Sequence, residues 1–67
     1  DSRTSVYVYD ASGRLVRRLA DRDFPAGRSS VDWDGRDDNG RRVASGIYFA
    51  RLTTGRDSAS MKLVLLR

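Results

Sequence analysis

The chain has 67 residues and a formal net charge of +4, from 13 Lys and Arg residues against nine Asp and no Glu. It contains no Cys and no His, which excludes a disulfide framework and removes the usual ligands of a structural zinc site. A domain this small buries about 60% of the surface that its unfolded form exposes. Strand pairing and apolar burial must therefore stabilise it without disulfides or a structural metal.

The composition also argues against catalysis, nucleic-acid binding and membrane insertion. Without His, Cys or Glu the serines have no partner that could activate them, so we expect no enzymatic activity and no cofactor. The arginines are spread along the chain instead of being clustered with exposed aromatic residues, as a nucleic-acid interface requires. No apolar run approaches the roughly 18 residues that a membrane-spanning helix needs.

The first segment alternates aliphatic and aromatic side chains. Val6 and Val8 alternate with Tyr7 and Tyr9, and all four are strong strand formers. This period of two predicts a β-strand over Thr4–Tyr9, with an apolar face and an aromatic face.

A turn and a second strand follow. The turn is predicted over residues 10–13, with Asp10 capping the backbone through its side chain and Gly13 taking a positive φ. A second strand is predicted over Arg14–Leu19, although this short segment could also form a helical turn. A loop over Asp21–Asp23 is expected to end it.

The middle of the chain holds the only Trp. Phe24–Gly27 is predicted to be a loop, and Arg28–Trp33 a third strand whose Trp33 anchors the core. The segment after Trp33 is rich in turn-forming residues. We assign structural roles there to Asp34, Gly35 and Gly40.

Several oxygen-bearing side chains in this segment raise the alternative of weak cation binding. They are Asp32, Asp34, Asp37, Asp38 and Asn39. If Gly40 were the central glycine of a helix-loop-helix calcium site, the first and last ligand positions would fall on Gly35 and Gly46, which offer no side-chain oxygen. Turn formation is therefore favoured, and no metal site is predicted.

The last third of the chain predicts a β-hairpin. Strands are expected over Ile47–Thr53 and Ser58–Leu66, joined by a short connection with Gly55 at the strained position. The end of the last strand is apolar on both faces, as in a central strand or one that awaits a partner. Tyr48 and Trp33 flank the same segment and are expected to pack inside.

Five short strands, frequent turn signals and no convincing helix predict an all-β fold, an antiparallel sandwich or small barrel. We treat residues 1–67 as a single domain. The other two tyrosines, Tyr7 and Tyr9, are expected to face partly outward. If they were exposed together with Tyr48 and Trp33, the four rings could form a stacking face for carbohydrate or nucleic acid, which leaves open a carbohydrate-binding module as an alternative function.

An ordered set of short motifs runs through nearly the whole chain, from Ser5 to Arg67. The motifs are Val8-Tyr9-Asp10, Gly13-Arg14-Leu15-Val16, Ala26-Gly27, Trp33-Asp34-Gly35, Asp38, Gly40, Ser45-Gly46-Ile47-Tyr48-Phe49 and Lys62-Leu63-Val64-Leu65. This set resembles the C-terminal sorting domains of the type IX secretion system. It is also similar to the immunoglobulin-like domain of the flagellar hook-capping protein.

The resemblance implies a small antiparallel immunoglobulin-like β-sandwich. Family members usually have one or two further strands before the point where this sequence begins, so the sheet is expected to have an unpaired edge. A neighbouring chain that supplies the missing strand is one expected partner.

The sorting-domain resemblance implies a non-enzymatic secretion signal at the C-terminus of a larger protein. Such a signal directs its cargo through the periplasm of a Gram-negative bacterium and across the outer membrane to the cell surface. The implied partners are the outer-membrane secretion machinery and its cargo-shuttle protein. The residues expected to supply recognition are Gly46, Ile47, Tyr48, Lys62 and Arg67.

The hook-capping resemblance implies a different class of function. Here the chain would be a structural immunoglobulin-like subunit or repeat of an extracellular assembly, such as a hook scaffold or a fibre. Strand complementation by a neighbour would then fill the gap left by the missing strand.

Overall fold

The computed structural model describes residues 2–24 and 31–66, and within them the chain forms four β-strands. In chain order they are β1 (Ser2–Asp10), β2 (Leu15–Phe24), β3 (Gly46–Thr54) and β4 (Asp57–Leu65). All neighbours are antiparallel, and the sheet order is β2-β1-β3-β4. The predicted all-β antiparallel class is confirmed and is consistent with a small immunoglobulin-like domain. In this described part, no helix is long and apolar enough to cross a membrane.

Strand β2 runs further than the sequence predicted. The expected loop Asp21–Asp23 lies inside the strand. β1 pairs along this stretch, with Ser5 opposite Asp21 and Arg3 opposite Asp23. The Arg3 Nε also donates a hydrogen bond to the Asp21 carboxylate at 2.9 Å. The loop prediction was wrong because cross-strand pairing overrides the turn preference of Asp.

Two other expectations concern the ends of β2. The helical turn considered for residues 15–19 is wrong, because that segment belongs to the strand. The predicted loop Phe24–Gly27 begins on the last residue of β2, and residues 25–27 lie outside the described residues.

The predicted third strand, Arg28–Trp33, is not seen where the structure describes it. Residues 28–30 lie outside the described residues, and 31–33 are irregular. The indole Nε1 of Trp33 donates to the carbonyl of Arg36 at 2.9 Å, and the Asp34 carboxylate accepts the backbone N–H of Arg36 at 3.1 Å. The chain therefore folds back on itself here instead of extending.

Alternate residues of each strand share a face of the sheet, because side chains along a strand point to opposite sides in turn. Val6 and Val8 of β1 lie opposite Leu52 and Ala50 of β3, and together they mark what we call the inner face. Val6, Val8 and Tyr48 are buried, with 7%, 0% and 7% of their surface exposed. The predicted apolar face of the first strand is confirmed.

The opposite side, which we call the outer face, carries Tyr7, Tyr9 and Phe49. Tyr7 and Tyr9 are half-buried there, as the sequence predicted. Tyr7 lies opposite Arg51, Tyr9 lies opposite Phe49, and Phe49 in turn lies opposite Lys62. Aromatic and cationic side chains are therefore neighbours across β1, β3 and β4.

The hairpin between β3 and β4 has a two-residue loop. Thr54 and Asp57 are register partners, so Gly55 and Arg56 form the connection. Gly55 has φ +54°, whereas no residue other than glycine has a positive φ in the described ranges. A positive φ at the first central position alone is typical of a type II′ turn. The predicted hairpin with glycine at the strained position is confirmed.

Candidate functional site

Asp10 holds the turn between β1 and β2. Its Oδ1 accepts the backbone N–H groups of Ser12 and Arg14, both at 3.0 Å, and the Ser12 hydroxyl at 2.7 Å. The backbone N–H of Asp10 donates to the Arg14 carbonyl at 2.9 Å, and Gly13 takes φ +90°. The Ser12 hydroxyl first, and then the Arg14 N–H, hold the pKa of Asp10 below its ordinary value because they stabilise the charged carboxylate.

A second turn, Asp37–Arg41, repeats this arrangement. The Asp37 Oδ1 accepts the backbone N–H groups of Asn39 at 2.9 Å and Arg41 at 3.0 Å. The backbone N–H of Asp37 donates to the Arg41 carbonyl at 2.9 Å, and Gly40 has φ +80°. The spacing Asp-x-x-Gly-Arg, common to both turns, could have revealed the repeat from the sequence.

The second turn covers part of the free edge of β2. The backbone N–H of Asp38 donates to the carbonyl of Val16 at 3.1 Å. Its carboxylate accepts the backbone N–H of Arg18 at 2.9 Å. Asp38 thus supplies both a donor and an acceptor to the edge, as a residue of a paired strand would.

The side chain of Arg17, on β2, forms hydrogen bonds to the segment 34–38, which includes the start of the second turn. Its Nη1 donates to the Asp34 carboxylate at 3.3 Å and to the carbonyls of Arg36 at 3.2 Å and Asp37 at 3.3 Å. Its Nε lies 3.9 Å from the Asp38 carboxylate. The Arg17 side chain is only 28% exposed. The planar guanidinium suits this role, because it offers several donors in a fixed geometry.

Trp33 and Tyr48 close the inner face at the start of β3. Their rings meet edge to face, with centroids 5.1 Å apart and an interplanar angle of 66°. The Tyr48 hydroxyl donates to the carbonyl of Ala44 at 2.7 Å. A tyrosine at the start of a strand that bonds the backbone a few residues upstream is the tyrosine corner of immunoglobulin-like sandwiches.

A shallow groove of about 540 Å³ lies between the two turns and Tyr48. Among the residues lining it are Asp10, Arg14, Asp37 and Asp38. The carboxylates of Asp10, Asp37 and Asp38 each accept backbone N–H groups there. Across residues 2–24 and 31–66 no acidic cluster is close enough to hold a metal ion. The carboxylates that line the groove therefore stabilise the two turns and the edge of β2.

Strand β4 forms the opposite edge of the sheet from β2. One edge of β4 pairs with β3 along its whole length, from Asp57 to Leu65. No strand within the described ranges pairs with the other edge of β4. The sheet thus has one edge that Asp38 partly covers and one edge that is open.

The hairpin geometry shows which backbone groups point away from β3. In a two-residue hairpin the flanking pair, here Thr54 and Asp57, exchanges ladder hydrogen bonds, and bonded and non-bonded pairs then alternate. The non-bonded residues of β4 turn their N–H and C=O groups to the open edge. These residues are Ser58, Ser60, Lys62 and Val64.

The residues predicted for recognition fall into different environments. Gly46 begins β3, and Ile47 is 44% exposed on the outer face. Tyr48 is buried in the core, so a partner has little access to its side chain. Lys62 is exposed on β4, whereas Arg67 lies outside the described residues. A recognition role for these residues stays a prediction.

Sequence reasoning missed the roles of Arg17 and Asp38. Both act between β2 and a segment about twenty positions away in the chain. Arg17 resembles every other arginine locally, so no short-range pattern marks it. Only the Asp-x-x-Gly-Arg repeat, which places Asp38 just inside a turn, carried a usable signal.

Comparison with known proteins agrees with this architecture. The model of the family described as FlgD Ig-like domain matches residues 2–58, which is more than half of the chain. Searches of curated proteins and of solved structures gave no significant match. The family match supports the resemblance to the hook-capping protein and lends no support to the resemblance to sorting domains. The chain therefore belongs to the FlgD Ig-like domain family.

Proposed function

We propose that this chain is a non-enzymatic structural module that joins another polypeptide by strand pairing at the open edge of β4. The observation that carries the proposal is the difference between the two edges of the sheet. Asp38 satisfies a donor and an acceptor on β2, whereas β4 has no such cover in the described part of the chain. An added strand would supply main-chain hydrogen bonds to this edge.

The length of β4 supports this role. It has nine residues, whereas natural proteins often blunt an exposed edge by keeping it short. Lys62 is the one cation on the strand, and a lysine on an edge also discourages unwanted pairing. Lys62 therefore has two possible roles: it protects the edge of β4 from unwanted pairing, or it selects among the strands that pair there.

The inner face beside β4 supports the proposal independently. Met61 is 65% exposed and Leu52 is 42% exposed, although both lie on the face that buries Val6 and Val8. The apolar core is thus open on the β4 side. A strand added at this edge would cover Met61 and extend the core, which favours association through apolar burial.

The proposal is tested by removing one outward N–H group. Ser60→Pro deletes a donor that points to the open edge, and proline is tolerated on an edge strand when its N–H would face solvent. Ser60→Ala keeps the donor and serves as the matched control. Each variant is made in the polypeptide that naturally carries this domain and is expressed in its natural host, and the mass of the complex in which it is recovered is measured by light scattering after size exclusion.

We expect wild type and Ser60→Ala to assemble and Ser60→Pro to remain apart. Circular dichroism and thermal melting of each isolated 67-residue chain would establish that the variants are folded. A folded Ser60→Pro variant that assembles as wild type does would overturn the proposal.

A second candidate function is the type IX secretion signal that the sequence resemblance implies. The observation that favours it is the exposure of Lys62 on the last strand, within the hairpin that a sorting machinery would contact. Under this proposal the protein passes through the periplasm to the cell surface, and the secretion machinery and its cargo-shuttle protein are the partners.

An export assay separates the two candidates. A fluorescent periplasmic reporter is fused to the chain in a type IX-competent host and compared with a fusion truncated at Asp57 and one carrying Lys62→Ala. Export that is lost on truncation would establish a sorting signal in the final hairpin. Retention of the full, folded fusion in the periplasm would exclude it and leave the structural role.

A further inference from the structure

We infer that the strand which pairs with β4 is amphipathic, with apolar residues toward the inner face and a carboxylate opposite Lys62. This inference rests on the proposed function, because it specifies the partner of the same edge. It follows from the side chains that β4 presents on each face of the sheet.

On the inner face β4 presents apolar neighbours to an incoming strand. Ala59, Met61 and Leu63 lie opposite Leu52, Ala50 and Tyr48, so they continue the rows of core residues outward. Met61 is 65% exposed. Apolar residues on the added strand would stand beside Met61 and Leu63 and remove them from water.

On the outer face β4 presents two serines, one lysine and, near its end, one valine. Ser58, Ser60, Lys62 and Val64 occupy this side, in register with Thr53, Arg51, Phe49 and Ile47. Within the described residues, no carboxylate forms an ion pair with Lys62 or Arg51. The carboxylate of Asp21, on the same face but across the sheet on β2, is already bonded to Arg3 at 2.9 Å.

The charge on the added strand follows from this pattern. Side chains directly opposite each other in an antiparallel pair are close enough to interact, and like charges there are unfavourable. A second copy of β4 paired with Lys62 opposite Lys62 would place like charges against each other, so charge complementarity favours a strand that carries a carboxylate at this position. The position that matters is the one opposite Lys62, because it is the only charged side chain in the middle of β4.

The test uses a strand of defined sequence and does not need the natural partner. A segment as long as β4, nine residues, alternates Thr and Val and carries Glu at its centre. The pattern reads alike in both directions, so the test does not depend on strand polarity. The segment is fused to a soluble carrier protein, and a second fusion carries Lys at the centre instead. Binding to the 67-residue chain is measured by calorimetry.

We expect the Glu strand to bind about three- to ten-fold more tightly than the Lys strand, as a cross-strand charge pair allows. Lys62→Glu should reverse this preference, and Lys62→Ala should abolish it. Arg51→Glu is the matched control. It changes the net charge equally on the same face but lies one strand further from the edge, so the preference for Glu should persist.

The outcomes separate the inference from the function on which it rests. If both strands bind equally well and amide exchange slows at Ser60 and Lys62, the edge pairs but the charge selection is overturned. If neither strand binds or protects these amides, the edge-pairing function itself is contradicted. Self-association of the chain that competes with both strands would show that a second copy is the occupant and would overturn the acidic partner.

Discussion

The carboxylate of Asp38 accepts the backbone N–H of Arg18 at 2.9 Å, and the backbone N–H of Asp38 donates to the carbonyl of Val16 at 3.1 Å. One residue of a loop therefore acts as a strand on the edge of β2. This contact distinguishes the covered edge of the sheet from the open one, since β4 has no equivalent cover among the residues described.

Asp38→Ala should uncover the edge of β2. A hydrogen bond to a charged group contributes about 1.5–3 kcal/mol, and the partial exposure of Asp38 reduces the expected loss of unfolding free energy to about 1 kcal/mol. Urea unfolding measures this loss. Asp38→Asn keeps an acceptor oxygen and should lose less than half as much; equal losses for the two variants would show that the bond to Arg18 is unimportant.

Arg17→Lys should loosen the segment 34–38 without changing the net charge. Lysine cannot reproduce the planar fork that reaches the Asp34 carboxylate and two backbone carbonyls, so we expect a loss of about 1–2 kcal/mol in unfolding free energy. Arg51→Lys, on the outer face, is the control and should change stability by less than about 0.5 kcal/mol. Similar losses at both positions would contradict this role for Arg17.

Tyr48→Phe tests the tyrosine corner. It removes the hydroxyl that donates to Ala44 while keeping the ring against Trp33, so the unfolding free energy should fall by about 1 kcal/mol. Tyr48→Ala also removes the buried ring and should cost about 3–5 kcal/mol. A Phe variant as unstable as the Ala variant would show that the hydroxyl, and not ring packing, dominates at this position.

The turn at Asp10 should make stability depend on pH in acid. Its hydrogen bonds lower the pKa of Asp10 in the folded chain below the value in the unfolded chain. The contribution of Asp10 is therefore fully present above the unfolded pKa and is lost as the pH falls through the folded one. Carboxyl NMR titration and urea unfolding from neutral pH to about pH 2 measure both effects.

Ser12→Ala is the matched variant for this titration. The Ser12 hydroxyl is the largest cause of the lowered pKa, so its removal should move the pKa of Asp10 upward toward the ordinary value. The part of the acid-induced stability loss that comes from Asp10 should then be smaller and should be complete at a higher pH, because this loss falls between the unfolded and the folded pKa. An unchanged titration would show that the backbone N–H groups alone hold the carboxylate in its charged form.

The sequence predicted the elements whose signals are local. The alternation from Val6 to Tyr9 identified β1 and its two faces, and Gly55 between two strand patterns identified the β3–β4 hairpin. Both predictions depend on residues that are neighbours in the chain, where strand periodicity and turn chemistry are strongest.

The sequence did not predict the features that depend on distant contacts. β2 continues through Asp21 because Ser5 and Arg3 pair with that stretch, although Asp favours turns. The third predicted strand has alternating residues up to Trp33, but the indole bonds the Arg36 carbonyl and the chain turns back. The last strand was expected to be central or to await a partner. The central position is wrong, because β4 lies at an edge of the sheet, and strand order follows from the whole sheet and not from one strand's sequence.

Amide hydrogen exchange across β4 tests the central claim most directly. In the free chain, the amides of Ser60 and Lys62 should exchange quickly because they point to the open edge, while those of Ala59 and Met61, bonded to β3, should exchange slowly. In the natural assembly Ser60 and Lys62 should become as slow as their neighbours. Fast exchange at Ser60 and Lys62 in the assembly as well would contradict strand pairing at this edge.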